Sequence, residues 1–336
     1  MNVSLARVQQ QSRALWPGVL VSLTVAAAAG FLSDHYGAPL MLFALLLGMA
    51  VSFLGEEGVC RAGIEFAARS ILRLGVALLG IRITFEQISA LGWEPVVLVI
   101  GTVVLTIGVS MAVARAMKFN VLFGLLSGGA TAICGASAAL ALSAALPAHP
   151  GKERATLFTV IGVSTLSTLA MIAYPMIVQA LGLDPVAAGV FLGGTIHDVA
   201  QVVGAGYSLS EQTGDTATVV KLMRVAMLLP VIVCASMITR MGHAGEALAK
   251  RPPLLPWFAV AFVILVAVGS TGWIPSAVQQ AGNQVSLWCL VTAMAAIGMK
   301  TRLKELVSVG VRPIVLMLGE TIFLAVLVLA ALRWAA

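Results

Sequence analysis

Long uninterrupted apolar runs, separated by short polar turns rich in Gly and Pro, set the pattern of this chain. A membrane-spanning helix needs about 20 mostly apolar residues. Runs of that kind fall near 17–33, 39–54, 66–81, 95–114, 121–146, 155–181, 186–207, 217–239, 255–270, 284–299 and 313–333. Turn chemistry marks the breaks: Gly37-Ala38-Pro39, Gly55-Glu56-Glu57-Gly58, Gly92 to Pro95, Pro147 to Gly151, Gly182 to Pro185, Pro252-Pro253 and Pro275. The runs do not alternate apolar and polar residues, as the strands of a membrane β-barrel would. The pattern predicts an all-α polytopic membrane protein with eleven transmembrane helices. It forms a single membrane domain over residues 1–336, preceded within it by a cytoplasmic segment over 1–15.

Composition supports this and removes the alternatives. Of 336 residues, 60% are hydrophobic and 10% are charged, against roughly 25% charged in a soluble domain. That excludes a water-soluble enzyme, a disordered chain and a collagen-like fibre. The net charge of +6 comes from Lys and Arg scattered at the ends of apolar runs, not from a basic block, so no nucleic-acid partner is expected. Cys60, Cys134, Cys234 and Cys289 are far apart, with no metal spacing. Neither a metal nor a cofactor is expected. The first run follows Arg7 and Arg13 as a signal peptide would. With ten runs behind it and no clear cleavage site, it reads as a retained helix.

Charge also orients the chain, because Lys and Arg concentrate on the cytoplasmic side. With the N-terminus inside, the inner face holds Arg7, Arg13, Arg61, Arg69, Arg73, Arg115, Lys118, Arg240, Lys250, Arg251, Lys300, Arg302, Lys304 and Arg312. The outer face holds Arg82, Lys152, Arg154, Lys221, Arg224 and Arg333. The expectation is a multi-pass protein of the bacterial inner membrane with its N-terminus cytoplasmic and its C-terminus external.

An internal repeat lies within these runs. Gly80-Ile81-Arg82, Gly92, Pro95, Val97, Leu98 and Gly101 recur as Gly298-Met299-Lys300, Gly310, Pro313, Val315, Leu316 and Gly319, at a constant offset of 218. The intervening loop falls outside in one copy and inside in the other, which predicts an inverted-topology repeat. A second pair of segments places Gly-Gly in mid-span before small and polar residues: Gly128-Gly129 with Thr131, Cys134 and Ser137, and Gly193-Gly194 with Thr195, His197, Asp198 and Gln201. Two readings compete. Glycine weakens a helix by about 1 kcal/mol relative to Ala, so each pair permits a break at bilayer depth, tolerated where the backbone is buried or lines a wet cavity. Alternatively, each pair is a close-packing seam between helices.

The stretches GGATAICGASA (128–138) and GGTIHDVAQVVGAG (193–206) resemble signatures of a bacterial sulfate exporter family, the YeiH-like membrane proteins. Leu74 to Thr84 and Ile297 to Thr301 extend the resemblance over most of the chain. That family is similar to the bile acid, arsenite and riboflavin transporter superfamily. The resemblance implies an inverted-repeat transporter fold of ten or eleven helices, with broken helices crossing near the midplane, and export of an anion such as sulfate, a related oxyanion or a sulfonate.

Ionisable groups inside spans are costly and mark sites by default. His197 and Asp198, with Gln201 one turn on, lead the substrate-contact or proton-relay candidates; a polar knot holding the bundle is the competing reading. Thr131, Cys134 and Ser137, spaced i, i+3, i+6, are predicted to share one face and donate to an oxyanion, or else to bond back to helix carbonyls. Lys221 and Arg224 supply positive charge to an anion or to Asp198, or snorkel to the interface. Glu320 pairs with a cation or carries a proton. Arg69 and Arg73 are expected to snorkel, and Asp34, His35, Glu56, Glu57, His149 and His243 to lie in loops. No nucleotide-binding motif is present. The leading function is a secondary transporter of a small anion, driven by protons or membrane potential; a passive channel and an intramembrane enzyme are the alternatives, and no enzyme activity is expected. The lipid bilayer and a small anion are the partners; a homodimer is one assembly open to the chain.

Overall fold

The computed structural model describes residues 2–36, 39–146, 151–240, 257–301 and 310–335. The predicted turns at Gly37-Ala38, 147–150 and Pro252-Pro253, and His149, His243, Lys250, Arg251, Arg302 and Lys304, lie outside them. Among the described residues the fold is entirely helical. In order, the helices are α1 Asn2–Tyr36, α2 Leu40–Ala50, α3 Arg61–Phe66, α4 Leu72–Leu79, α5 Phe85–Ala90, α6 Glu94–Ala116, α7 Val121–Ala132, α8 Ala136–Ala145, α9 Lys152–Leu181, α10 Pro185–Thr195, α11 Val199–Tyr207, α12 Glu211–Ala226, α13 Leu228–Arg240, α14 Trp257–Ser270, α15 Ser276–Lys300 and α16 Val311–Ala335. Over the described residues each apolar run is mainly helical. Among the described residues, six helical stretches are long and apolar enough to cross a membrane: Arg13–Tyr36, Glu94–Ala116, Lys152–Leu181, Glu211–Ala235, Ser276–Lys300 and Val311–Trp334. Several of the others are shorter because runs expected to be continuous are interrupted.

The local chemistry explains the ends. Asn120 caps α7 by accepting from Leu122 N–H at 2.9 Å, and Asp184 caps α10 by accepting from Val186 N–H at 2.9 Å. Pro185 follows at the first turn, where its missing N–H costs nothing. Pro230 sits in the first turn of α13 and cannot donate back to Ala226, which separates α12 from α13 at Met227.

The helices gather into two compact units, one holding α1–α5, α14 and α15, the other α6–α13 and α16. In the first, small residues bring backbones together. A methyl built at Gly48 of α2 would lie 2.2 Å from the Ala295 carbonyl oxygen of α15, a seam only glycine allows. Helix α4 runs antiparallel to α15: Gly75 O accepts from Ser286 Oγ at 2.7 Å, while Ile81, just past the end of α4, meets Gly282, earlier in α15. A π-helical turn, Ala67–Ile71, joins α3 to α4. There the exposed Arg69 pairs with Glu65 at 3.0 Å, and Arg73 is exposed.

In the second unit α6 runs antiparallel to α16. Leu98 and Val328 both flank Gly194, and Ala114 and Leu316 share one apolar cluster. The polar interior of this unit contains the candidate site.

Candidate functional site

The two Gly-Gly segments both break, but not at their glycines. Gly128, Gly129, Gly193 and Gly194 lie within α7 and α10 and are buried there. A methyl at Gly128 would meet Ser110 Cβ of α6 at 2.5 Å, and one at Gly193 would meet the Ala217 carbonyl oxygen of α12 at 2.4 Å. Gly128 and Gly193 are packing seams, the second of the two readings, whereas a methyl at Gly194 would meet nothing closer than 3.5 Å. The breaks come just after them, at Ile133–Gly135 between α7 and α8 and at Ile196–Asp198 between α10 and α11. The shared face expected of Thr131, Cys134 and Ser137 is therefore lost. Thr131 lies in the last turn of α7 and Cys134 sits in the break, both buried, whereas Ser137 lies in the first turn of α8 and is exposed. Likewise His197 and Asp198 precede α11 instead of lying on it with Gln201. Thr195 bonds back to the Phe191 carbonyl at 2.6 Å, the local use that short hydroxyls often have.

The breaks meet each other. His197 Nδ1 lies 3.0 Å from the Thr131 carbonyl oxygen, and the backbone of Gly135 stands against His197. Gly135 has φ 65° and ψ −131°, a conformation open essentially to glycine alone. Gly135→Ala is expected to cost about 1–3 kcal/mol in strain, although the nearest atoms to the added methyl, at 3.7 Å, leave room for it. A lowered melting temperature of the detergent-solubilised variant checks this.

A broken helix leaves its last carbonyls without N–H partners. Here α12 supplies the donors from two fully buried cations. Lys221 Nζ donates to Ile133 O at 2.7 Å and Ile196 O at 2.9 Å. Arg224 Nε donates to Ala132 O at 2.7 Å, Nη1 to Gly193 O at 3.0 Å and Ile196 O at 3.1 Å, and Nη2 to Thr131 O at 2.9 Å. Each cation thus ties the C-terminus of α7 to that of α10. Neither snorkels. An ammonium carries three donors and a guanidinium five, so each keeps one N–H beyond these bonds.

The N-termini of the second half-helices face the same region. Asp198 Oδ1 caps α11 by accepting from Ala200 N–H at 2.8 Å, and its own N–H donates to Ser167 Oγ at 3.0 Å. Asp198 also lies within electrostatic reach of Lys221 and Cys134. A helix end carries roughly half an elementary charge, negative at the C-terminus and positive at the N-terminus. The two C-termini and two N-termini cancel. Lys221 and Arg224 then outweigh Asp198 by one positive charge, a surplus that an ionised Glu320 offsets. With Glu320 neutral, the crossing is electrostatically suited to an anion.

Helix α16 grips the crossing at two successive residues. Thr321 Oγ1 lies 3.0 Å from His197 Nε2. Because the Thr131 carbonyl only accepts, Nδ1 carries a proton; Thr321 Oγ1 also lies 2.9 Å from the Met317 carbonyl of its own helix, so its single hydrogen serves either that carbonyl or His197 Nε2. Glu320, 4% exposed, pairs with hydroxyls and not with a cation: Oε1 accepts from Ser110 Oγ and from Ser127 Oγ at 2.7 Å, and Oε2 from Thr131 Oγ1 at 3.0 Å. Gln201 Nε2 donates to Thr168 Oγ1 at 2.9 Å, while its buried Oε1 has no partner. Ser110, Ser127, Ser167, Thr168 and Thr321 are members of this network that sequence reasoning did not select. Only the adjacency of Thr321 to Glu320, and of Ser127 to Gly128, hinted at them.

The family described as Conserved hypothetical protein 698 matches residues 17–317. A UPF0324 membrane protein of Chlorobaculum tepidum is 58% identical over 320 residues, 95% of this chain and 89% of the relative. The UPF0324 membrane protein TauZ of Paracoccus denitrificans is 52% identical over 322 residues, 95% of each chain. A third, from Rhizobium meliloti, is 49% identical over 319 residues, 95% of this chain and 92% of the relative. With its long apolar helices and these relatives, the chain belongs to the UPF0324 family of multi-pass membrane proteins.

Proposed function

We propose that this protein is a secondary transporter that moves a small anion, such as sulfate, a related oxyanion or a sulfonate, across the bacterial inner membrane. The observation that carries the reading is the meeting of two broken helices on the buried cations Lys221 and Arg224. Irregular backbone at membrane depth is tolerated where it is buried in protein or lines a cavity, and in transporters such breaks form the substrate site. The surplus positive charge selects the sign of the substrate.

The proposed architecture has eleven crossings, an N-terminus inside, a C-terminus outside and an inverted repeat. The helix pairing supports the repeat. Its first helices, α4 and α15, belong to one unit and its second helices, α6 and α16, to the other, and each pair packs antiparallel. Repeats related by a two-fold axis in the membrane plane produce this arrangement. The driving force is a proton gradient or the membrane potential, worth about 2.3 kcal/mol per charge at 100 mV.

Purified protein in liposomes is expected to move a small oxyanion at carrier rates, and His197→Ala and Asp198→Asn are expected to abolish the flux. Unimpaired flux in both variants would remove these residues from the site, and rates far above carrier turnover would favour a channel.

A further inference from the structure

We propose that Glu320 is a proton-carrying group and that its protonation is required for tight anion binding, so that proton and anion cross together. This rests on the transporter reading above and adds its coupling ion. The hydroxyl cage is built to accept either state of the carboxyl. Ser110 Oγ touches Glu320 Oε1 and also lies 2.7 Å from the Gly124 carbonyl oxygen. With Glu320 ionised, Ser110, Ser127 and Thr131 all donate to the carboxylate. With a proton on Oε1, Glu320 donates to Ser110 Oγ, and Ser110 turns its own hydrogen to Gly124 O. Only hydrogens move, and no donor or acceptor is left unsatisfied in either state.

Among the described residues no cation bonds the carboxyl directly; the nearest positive charge in its network, Arg224, is joined to it through Thr131. The described helices that pack most extensively against α16 are α6, α7, α9 and α10. The charged residues of α6 and α9, namely Glu94, Arg115, Lys152, Glu153 and Arg154, stand at helix ends, and Asp184 caps the start of α10. Tyr174 of α9 packs on Phe191. Of the titratable groups at the crossing, His197 and Arg224 bond the Thr131 carbonyl, Lys221 bonds Ile133 O and Ile196 O, Asp198 caps α11, and Cys134 lies in the α7–α8 break. A buried carboxylate without a partner cation is costly at membrane depth, and a proton removes that cost.

Thr131 links the two events. Its hydroxyl donates to Glu320 Oε2 at 3.0 Å, and its carbonyl accepts from Arg224 Nη2 at 2.9 Å and lies 3.0 Å from His197 Nδ1. Ionised, Glu320 offsets the surplus positive charge of the crossing; protonated, it restores that charge and favours an anion. Linkage makes the effect reciprocal: a bound anion favours the proton on Glu320.

Two measurements test this separately from transport. Infrared difference spectra of lipid-reconstituted protein, taken across a pH titration, are expected to show the C=O band of a protonated carboxylic acid that Glu320→Gln lacks and Glu320→Asp retains. The sulfate-induced rise in melting temperature is expected to grow as pH falls in the natural protein and to lose that pH dependence in Glu320→Gln. Identical pH-dependent bands in the natural protein and Glu320→Gln, a pH profile unchanged by the substitution, or a sulfate shift that needs sodium in place of protons would overturn the proposal. A titrating Glu320 band and a pH-linked sulfate shift without any anion flux in liposomes would instead leave the proton site standing and remove the transporter reading.

Discussion

Arg224→Met is expected to destabilise the detergent-solubilised protein by on the order of 3–5 kcal/mol, the usual cost of breaking a buried charged network from one side. Arg224 is fully buried and spans both helix ends. Without it, Ala132 O and Gly193 O lose their side-chain donor, while Thr131 O keeps His197 and Ile196 O keeps Lys221. Each abandoned buried acceptor costs about 1–3 kcal/mol. Arg224→Lys does not restore the structure, because a compact ammonium cannot reproduce the planar fork that reaches α7 and α10 at once. Melting temperature read by intrinsic fluorescence checks both variants. An Arg224→Met protein as stable as the natural one would mean that these carbonyls do not depend on the guanidinium.

Lys221→Met acts chiefly on the ligand. Ile196 O keeps Arg224 as donor, so only Ile133 O is abandoned, and the stability loss is expected to stay within about 1–3 kcal/mol. The surplus positive charge disappears entirely. Anion flux into liposomes is expected to fall to background while the protein stays folded and monodisperse. Retained flux would show that the charge of the crossing does not attract the substrate.

The positions of the helices were legible because span length and hydrophobicity are local properties. The caps at Asn120 and Asp184 and the Gly182-Leu183-Asp184-Pro185 turn are likewise written in short motifs. The breaks were legible only as regions. Glycine pairs signal both a weak helix and a tight seam, and the two readings differ by what packs opposite: Ser110 and Ala217 decided for the seam. Ionisable residues in apolar runs pointed to His197, Asp198, Lys221, Arg224 and Glu320, all of which converge on one place. Their partners were not legible. Glu320 finds hydroxyls 189 to 210 residues away, and a lone Ser or Thr in an apolar helix carries no sign of whether it bonds its own carbonyl or a distant carboxyl. Ser137, selected by spacing within a supposed continuous helix, is turned out of the site by the break before it.

The positively charged crossing is tested most directly by a thermal-stability titration of the natural protein and Lys221→Met, side by side, with sulfate, sulfite, thiosulfate, sulfonates and carboxylates. A ligand at one hundred times its Kd stabilises by about 2.7 kcal/mol. A saturable rise in melting temperature with at least one of these anions in the natural protein, absent in Lys221→Met, is the predicted result. No shift with any of them, or equal shifts in both proteins, would contradict an anion site at the crossing.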